Sequence, residues 1–402
     1  MARLYKHALE SIFAHLRLSE LACIVVVCRD WSAAANSTRP IGARVNVKTW
    51  AAIEFRPLIR HVSALRCTGD VPAESLDTIC NFIKQSKSLV ELDLSRNSID
   101  DKGAEAIAEA IKQSTSLFVV DMSHNNFGKQ GVWALADAIA QSKVLTTIHL
   151  SGNSIGNYGA CCIADAIDHS RSLTALDLSD NSSIGASGAN KLASAIARSN
   201  SLTMIDFSRN FFEHSTDAIA EAIHQSTTLV SMDLSCNAFG ADNSSTIAEA
   251  IKQSQSLTAV NLSFNSIGDV GTIAIAEAIA QSKSLTTVDL SDNEIDAEGA
   301  QVLADAIKQS KSLTTLDIGG NYFGYNGLVF IAEAIKQSTT LTNLKMNANT
   351  IDGIGAVALA EAVKQSKSLV ALDLSDNAIS AVGMAALTEA IKKSTSLTDL
   401  WI

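Results

Sequence analysis

The sequence predicts an α/β solenoid: a right-handed horseshoe with parallel strands on its concave side, helices on its convex side and a helical cap at the N-terminus. Three observations predict it. An Asn recurs at 97, 125, 153, 181, 210, 237, 265, 293, 321, 349 and 377, in steps of 28 residues except for one of 29 and one of 27. Each Asn closes a version of Leu-x-x-Leu-x-Leu-x-x-Asn, as in Leu89, Leu92, Leu94, Asn97 and in Leu369, Leu372, Leu374, Asn377, and the alternation of apolar residues there is that of a strand. A run rich in Ala and Ile with a period near 3.6 follows, as from Gly103 to Lys112, and that is the period of a helix. A chain of 402 residues would ordinarily form two or three globular domains, but self-similarity at a fixed interval marks an array instead.

Each element follows from the physics of stacking. One strand-helix unit cannot bury its own apolar face, so units must pack on one another. Small Ala side chains let neighbouring helices approach. The repeated Asn, if buried, needs its amide satisfied, and loop backbone groups of adjacent units are the natural partners. Gly stands six or seven residues after the Asn in nine repeats, where close backbone approach would explain it. The exceptions are adjacent, with Thr216 and Asn243 at that place, and they coincide with the irregular steps. A kink or altered loop is expected between about residues 181 and 250. On the outer helix face, Glu109–Lys112, Glu249–Lys252 and Glu333–Lys336 are spaced as i,i+3 ion pairs.

These repeated residues resemble the leucine-rich repeat family, in its ribonuclease-inhibitor-like class, over roughly residues 62 to 402. Regular repeats occupy 89–402. Degenerate ones occupy 45–88, where Val62, Leu65 and Cys67 precede Asp70 in place of the Asn, and Val45-Asn46-Val47 suggests a further short strand. At the other end Leu397, Leu400 and Ile402 begin a strand with no helix after it, so an open edge is expected there.

Residues 1–44 depart from the repeat. Leu4, Leu9, Ile12, Phe13 and Leu16 share one face of a helix, and Leu21, Val27, Cys28 and Trp31 belong to the next apolar surface. This stretch resembles an F-box. The resemblance implies docking on a Skp-type adaptor of a cullin ubiquitin ligase, with the repeats capturing a substrate. Tyr5, His7 and Arg17 stand where that pattern commonly has Pro, Glu and Pro. A second reading is a helical cap over the first repeat, and the two are compatible.

Charge and composition narrow the function. A net charge of −11 sets the whole-chain field against nucleic acid and anionic lipid. The longest apolar run, Ala22 to Val27, is too short to cross a bilayer. Seven cysteines (Cys23, Cys28, Cys67, Cys80, Cys161, Cys162 and Cys236) have no regular spacing. They form neither a disulfide framework nor a zinc site, and are expected to be small buried residues in a reducing, cytoplasmic or nuclear, compartment. The sequon at Asn36-Ser37-Thr38 would matter only in a secreted chain. No nucleophile-base order, metal cluster or phosphate loop is present, so neither catalysis nor a cofactor is expected; the glycines of Gly319 to Gly324 belong to a strand-to-helix turn.

What remains is a surface. Between the second and third Leu of each repeat stand Asp93, Asp121, His149, Asp177, Asp206, Asp233, Asn261, Asp289, Asp317, Lys345 and Asp373, beside a column of Ser from Ser95 to Ser375. Strand alternation aims both columns at the concave side. This acidic stripe is either a groove for a protein with a basic surface or a solvated ladder tied down by the serines. Residues that break the columns mark candidate contacts: His124, His149, Met204, Cys236, Phe264, Lys345 and Trp401, with Arg96 and Arg209 flanking. The leading expectation is a substrate-recognition subunit of a ubiquitin ligase. The alternatives are a repeat sensor or effector scaffold without that role, and a small-GTPase activator with Arg96 as its arginine.

Overall fold

Strand and helix alternate along the chain as the 28-residue period requires. The computed structural model describes residues 41–46, 62–68, 71 and 73–402. Leu4, Leu9, Ile12, Phe13, Leu16, Leu21, Val27, Cys28 and Trp31 lie outside the described residues. Two compact units form, one ending at Asn181 and one running from Ser182 to Ile402. The division falls inside the 89–402 array, where the long step begins.

The first unit contains β1 (Ile41–Asn46), β2 (Val62–Thr68), α1 (Ala73–Gln85), β3 (Glu91–Asp93), α2 (Asp101–Gln113), β4 (Val119–Asp121), α3 (Lys129–Gln141), β5 (Thr147–His149), α4 (Gly156–His169) and β6 (Ala175–Asp177). The second contains α5 (Ala186–Arg198), β7 (Met204–Asp206), a 3-10 turn (Phe212–Ser215), α6 (Thr216–Gln225), β8 (Ser231–Asp233), α7 (Gly240–Gln253), β9 (Ala259–Asn261) and α8 (Gly268–Gln281). It continues through β10 (Thr287–Asp289), α9 (Ala297–Gln309), β11 (Thr315–Asp317), α10 (Gly324–Gln337), β12 (Asn343–Lys345), α11 (Gly353–Gln365), β13 (Ala371–Asp373), α12 (Ala381–Lys393) and β14 (Asp399–Trp401). Within each unit consecutive strands pair in parallel, and consecutive helices pack together. The short strand expected at Val45 to Val47 starts earlier, at Ile41.

The middle residue of each strand and the flanking Leu turn inward. Leu89, Leu92 and Leu94 are fully buried, as are Ile107 and Ile111 of α2, and the pattern repeats through Leu369, Leu372 and Leu374. Each regular unit thus buries several large aliphatic side chains, each worth about 1.5–3 kcal/mol.

Two hydrogen-bond ladders tie the units together. In the first, the Asn265 amide donates to Leu234 O at 3.0 Å in the preceding repeat and to Leu262 O and Ser263 O in its own. Its Oδ1 accepts from Asn237 N at 3.0 Å, and Asn265 N in turn donates to Asn293 Oδ1 at 2.9 Å. The sequence anticipated this role. The second ladder it did not reveal. Every helix from α2 to α12 is closed by a Ser, such as Ser114 and Ser282, whose hydroxyl accepts from the N–H three residues on (Leu285 N to Ser282 Oγ, 3.1 Å). The next hydroxyl residue reaches back one repeat, as Ser312 Oγ does to Ser282 O at 3.0 Å.

The helical glycines occupy points of contact. A Cβ at Gly271 would lie 3.1 Å from Ala241 Cα, and one at Gly327 2.9 Å from Ala300 Cβ. Of the two repeats without this Gly, the one with Thr216 changes its element, whereas α7, with Asn243, keeps a helix of 14 residues. Before Thr216 the first helical turn is a 3-10 turn, and α6 has 10 residues against 13 or 14 in the other helices of its unit. Phe212 of that turn packs edge-on against Phe207, with ring centroids 5.1 Å apart.

Candidate functional site

The outward-facing residues of the strands form two aligned columns, one in each unit. In the first, Asp93, Asp121, His149 and Asp177 stand side by side in strand register. In the second, Asp206 stands beside Asp233, Asp233 beside Asn261, and Asn261 beside Asp289; Asp317, Lys345, Asp373 and Trp401 follow. Parallel neighbours lie about 4.8 Å apart.

The two oxygens of each carboxylate do different work. One closes the turn at the end of its own strand. Asp289 Oδ1 accepts from Ser291 N at 2.9 Å and from Ser291 Oγ at 2.7 Å, and Asp233, Asp373 and Asp177 hold Ser235, Ser375 and Ser179 in the same way. Asp121, Asp206 and Asp317 accept the backbone N–H two residues on. One oxygen of each of these carboxylates is thus taken up within its own turn.

The residues that break the column engage several of these second oxygens. His149 Nδ1 lies 3.3 Å from Asp177 Oδ2, Asn261 Nδ2 donates to Asp233 Oδ2 at 2.8 Å, and Lys345 Nζ lies 3.0 Å from Asp317 Oδ2. Arg66, which the sequence did not single out, pairs with Asp93. It was hidden in the degenerate strand β2, where the repeat pattern gave no column to read.

Local environment sets the charge state of individual members. Burial pushes the Asp177 carboxyl up, but hydrogen bonds from His149 and Ser179 outweigh it and hold it below the ordinary carboxylate value. Asp93 follows the same logic, with Ser95 and Arg66 as the opposing partners. Asp289 goes the other way: burial and the neighbouring Asp317 carboxylate raise it against the help of Ser291. The Asp317 carboxylate, by hydrogen bond and charge, raises the Lys345 ammonium.

A second row lies one step further along each loop, at the residue before the repeating Asn. Arg96, His124, Arg209, Cys236 and Phe264 occupy it with φ of 59°, 54°, 56°, 55° and 55°, in the left-handed region that favours Gly. Phe264 is 56% exposed and Met204, the first residue of β7, is 52% exposed. Trp401 is likewise exposed, beside Asp373. The structure brings the carboxylate column together as one surface in each unit. It places Arg96 and His124 in the adjoining row of the first unit, and Arg209 and Phe264 in that of the second.

The cysteines differ from expectation in part. Cys67 and Cys80 are buried, and burial pushes their thiols up to about 12 and about 11. Cys161, Cys162 and Cys236 are only half-buried. Among the described residues no group of three or more His, Cys, Asp or Glu is placed to hold a metal ion, and no helix is long and apolar enough to cross a membrane.

Comparison with known proteins agrees with this geometry. The family model described as Leucine Rich repeat matches residues 85–108, 113–136, 141–164, 169–193, 253–276, 281–304, 309–332, 337–360 and 365–387, together more than half of the chain. The chain belongs to the leucine-rich repeat family. The unmatched stretch between 193 and 253 is the one that carries the 3-10 turn and lacks the helical Gly. No curated protein matches the chain. Among solved structures, the Rad7 and Elc1 complex in yeast is similar at 12% identity and a TM-score of 0.52, covering 92% of this chain and 86% of that one. An internalin from Listeria monocytogenes is similar at 17% identity and a TM-score of 0.47, covering 77% and 80%. The actin-binding site 2 of leiomodin-1 has 21% identity and a TM-score of 0.33, covering 36% and 86%.

Proposed function

We propose that this protein is a non-catalytic scaffold that holds a protein partner on the open face of its strands, and that it serves as a substrate-recognition subunit of a cullin ubiquitin ligase. The observation that carries the scaffold reading is the pair of carboxylate columns: repeated equivalents spread over a long surface suit a macromolecule rather than a small substrate. Column oxygens turned outward favour a basic protein surface. The 28-residue step and a full α-helix in nearly every unit favour the ribonuclease-inhibitor-like class. The ligase role rests on the F-box-like residues Leu4, Leu9, Ile12, Phe13, Leu16, Leu21, Val27, Cys28 and Trp31, which would dock a Skp-type adaptor. The similar yeast structure is a complex of two proteins, Rad7 and Elc1, which accords with assembly through a protein partner.

The test is capture of a Skp-type adaptor by the full chain and by a Leu9→Asp, Ile12→Asp variant of unchanged circular dichroism. Capture by the parent that the variant loses supports the ligase role. A folded parent that captures nothing overturns it and leaves a repeat scaffold whose N-terminal segment is a cap.

A further inference from the structure

Among the described residues, two histidines stand on the strand face, and both lie over β5 of the first unit. His149 belongs to β5 itself, between Asp121 of β4 and Asp177 of β6 in strand register, with its Nδ1 3.3 Å from Asp177 Oδ2. His124 follows β4 in the adjoining row and reaches across Gly152, which follows β5 at the same place. A Cβ on Gly152 would collide with the imidazole, so the glycine provides its seat. The other charged groups that border these rings are Asp180, next after Gly152 in the row, and Arg96, on the other side of His124. Further out, Arg66 pairs with Asp93.

Imidazole is the side chain whose charge ordinarily changes between about pH 5 and 8. Carboxyl groups ordinarily ionise below that range, and guanidinium stays charged above it. Asp177 is held lower still, because hydrogen bonds from His149 and Ser179 outweigh the upward push of burial. The His149 side chain is 40% exposed, so water reaches the ring and its protonation carries little desolvation cost. Near neutral pH the set therefore presents Asp121, Asp177 and Asp180 against Arg96, an excess of negative charge that attracts a polycation. Protonation of both imidazoles cancels that excess and turns the contact between His149 and Asp177 into a full ion pair. The backbone that carries these side chains is untouched by the change.

We propose that the strand face of the first unit is a pH-gated surface, which holds a lysine-rich protein segment near neutral pH and releases it below about pH 6 as His124 and His149 gain protons. The inference rests on the reading of the strand face as a protein-binding surface given above, and is independent of the ubiquitin-ligase role.

Fluorescence anisotropy of a labelled lysine octapeptide with the full chain, at one ionic strength and at about pH 7.5 and about pH 5.5, tests it. The peptide keeps its charge across this range. The parent should bind it about tenfold more weakly at the lower pH. A His124→Asn, His149→Asn variant should lose this response, its affinity changing less than about twofold between the two conditions. Both substitutions suit their places. Asn261 already fills the column, where its Nδ2 donates to Asp233 Oδ2 at 2.8 Å, and Asn tolerates the left-handed backbone of residue 124. A parent that binds equally at both values overturns the proposal. So does a variant that keeps the parent's response, which would assign it to carboxyl groups elsewhere on the chain. Binding at neither value overturns the strand-face reading together with the gate, a result distinct from either failure of the gate alone.

Discussion

The residue before each repeating Asn adopts φ between 53° and 65° in every repeat from Asn97 to Asn377, yet only Gly152 and Gly320 fill it with glycine. A left-handed conformation costs an L-residue about 1–2 kcal/mol, so most repeats carry local strain. Phe264 carries it while more than half exposed, and so has little packing to offset it. Phe264→Gly should therefore stabilise the second unit by about 1 kcal/mol, read as a higher urea midpoint, and should weaken any partner that uses the ring. The carboxylates give opposite pH dependences. Asp177 has a lowered folded-state pKa, so its contribution is present above the ordinary carboxylate pKa and is lost as pH falls through the lower, folded value. Asp289 has a raised one, so ionised Asp289 weakens the fold at neutral pH, and this penalty fades as pH falls through the raised value. Asn261 shows that an amide fits the column, since its Oδ1 accepts from Ser263 N at 3.0 Å. Asp289→Asn should then melt above the parent at neutral pH and Asp177→Asn below it, with both gaps closing under acid. Melts in parallel buffers check the pair.

Elements here are defined by what their neighbours leave room for. Gly271 sits inside α8, where Ala would ordinarily be favoured by about 1 kcal/mol. The backbone of α7, with Ala241 Cα 3.1 Å and Ala241 O 3.3 Å from a Cβ, cannot give way as a flexible side chain would. Gly271→Val should accordingly cost about 1–3 kcal/mol, and its Tm compared with that of a substitution at exposed Ile273 separates contact from helix propensity. Much of this was legible in sequence, because Gly103 to Gly383 recur in register with the Asn. The Ser that ends each helix recurs just as regularly, but Ser in a turn has a weak local meaning, and its reach to the preceding repeat becomes visible only on stacking. The shortened α6 was foreshadowed by Thr216 and by the short step to Asn237. The 3-10 turn before it depends on how Phe212 meets Phe207, which spacing does not encode.

For the molecule as a whole, the fold was readable because its period is carried by buried residues whose partners are the backbone of identical neighbours. The site was readable only as columns. Sequence aligns His149, Asn261 and Lys345 with the aspartates but does not say whether each turns forward, as His149 does to Asp177, or back, as Lys345 does to Asp317. That direction decides which carboxylate oxygens face a partner. Lys345→Ala releases Asp317 Oδ2, and should tighten a basic partner about threefold at low ionic strength, with the gain vanishing as salt screens it. Titration calorimetry at two salt concentrations measures this.

The Asn ladder has one more consequence, for how such a chain changes length. Asn237 N meets Asn265 Oδ1 just as Asn265 N meets Asn293 Oδ1, so the loops are interchangeable at their seams. Unequal recombination that adds or removes one whole copy between such seams restores their amide contacts. The gene can thus lengthen or shorten the binding face like a ruler, in increments of about 4.8 Å, and selection then acts on reach alone rather than on foldability.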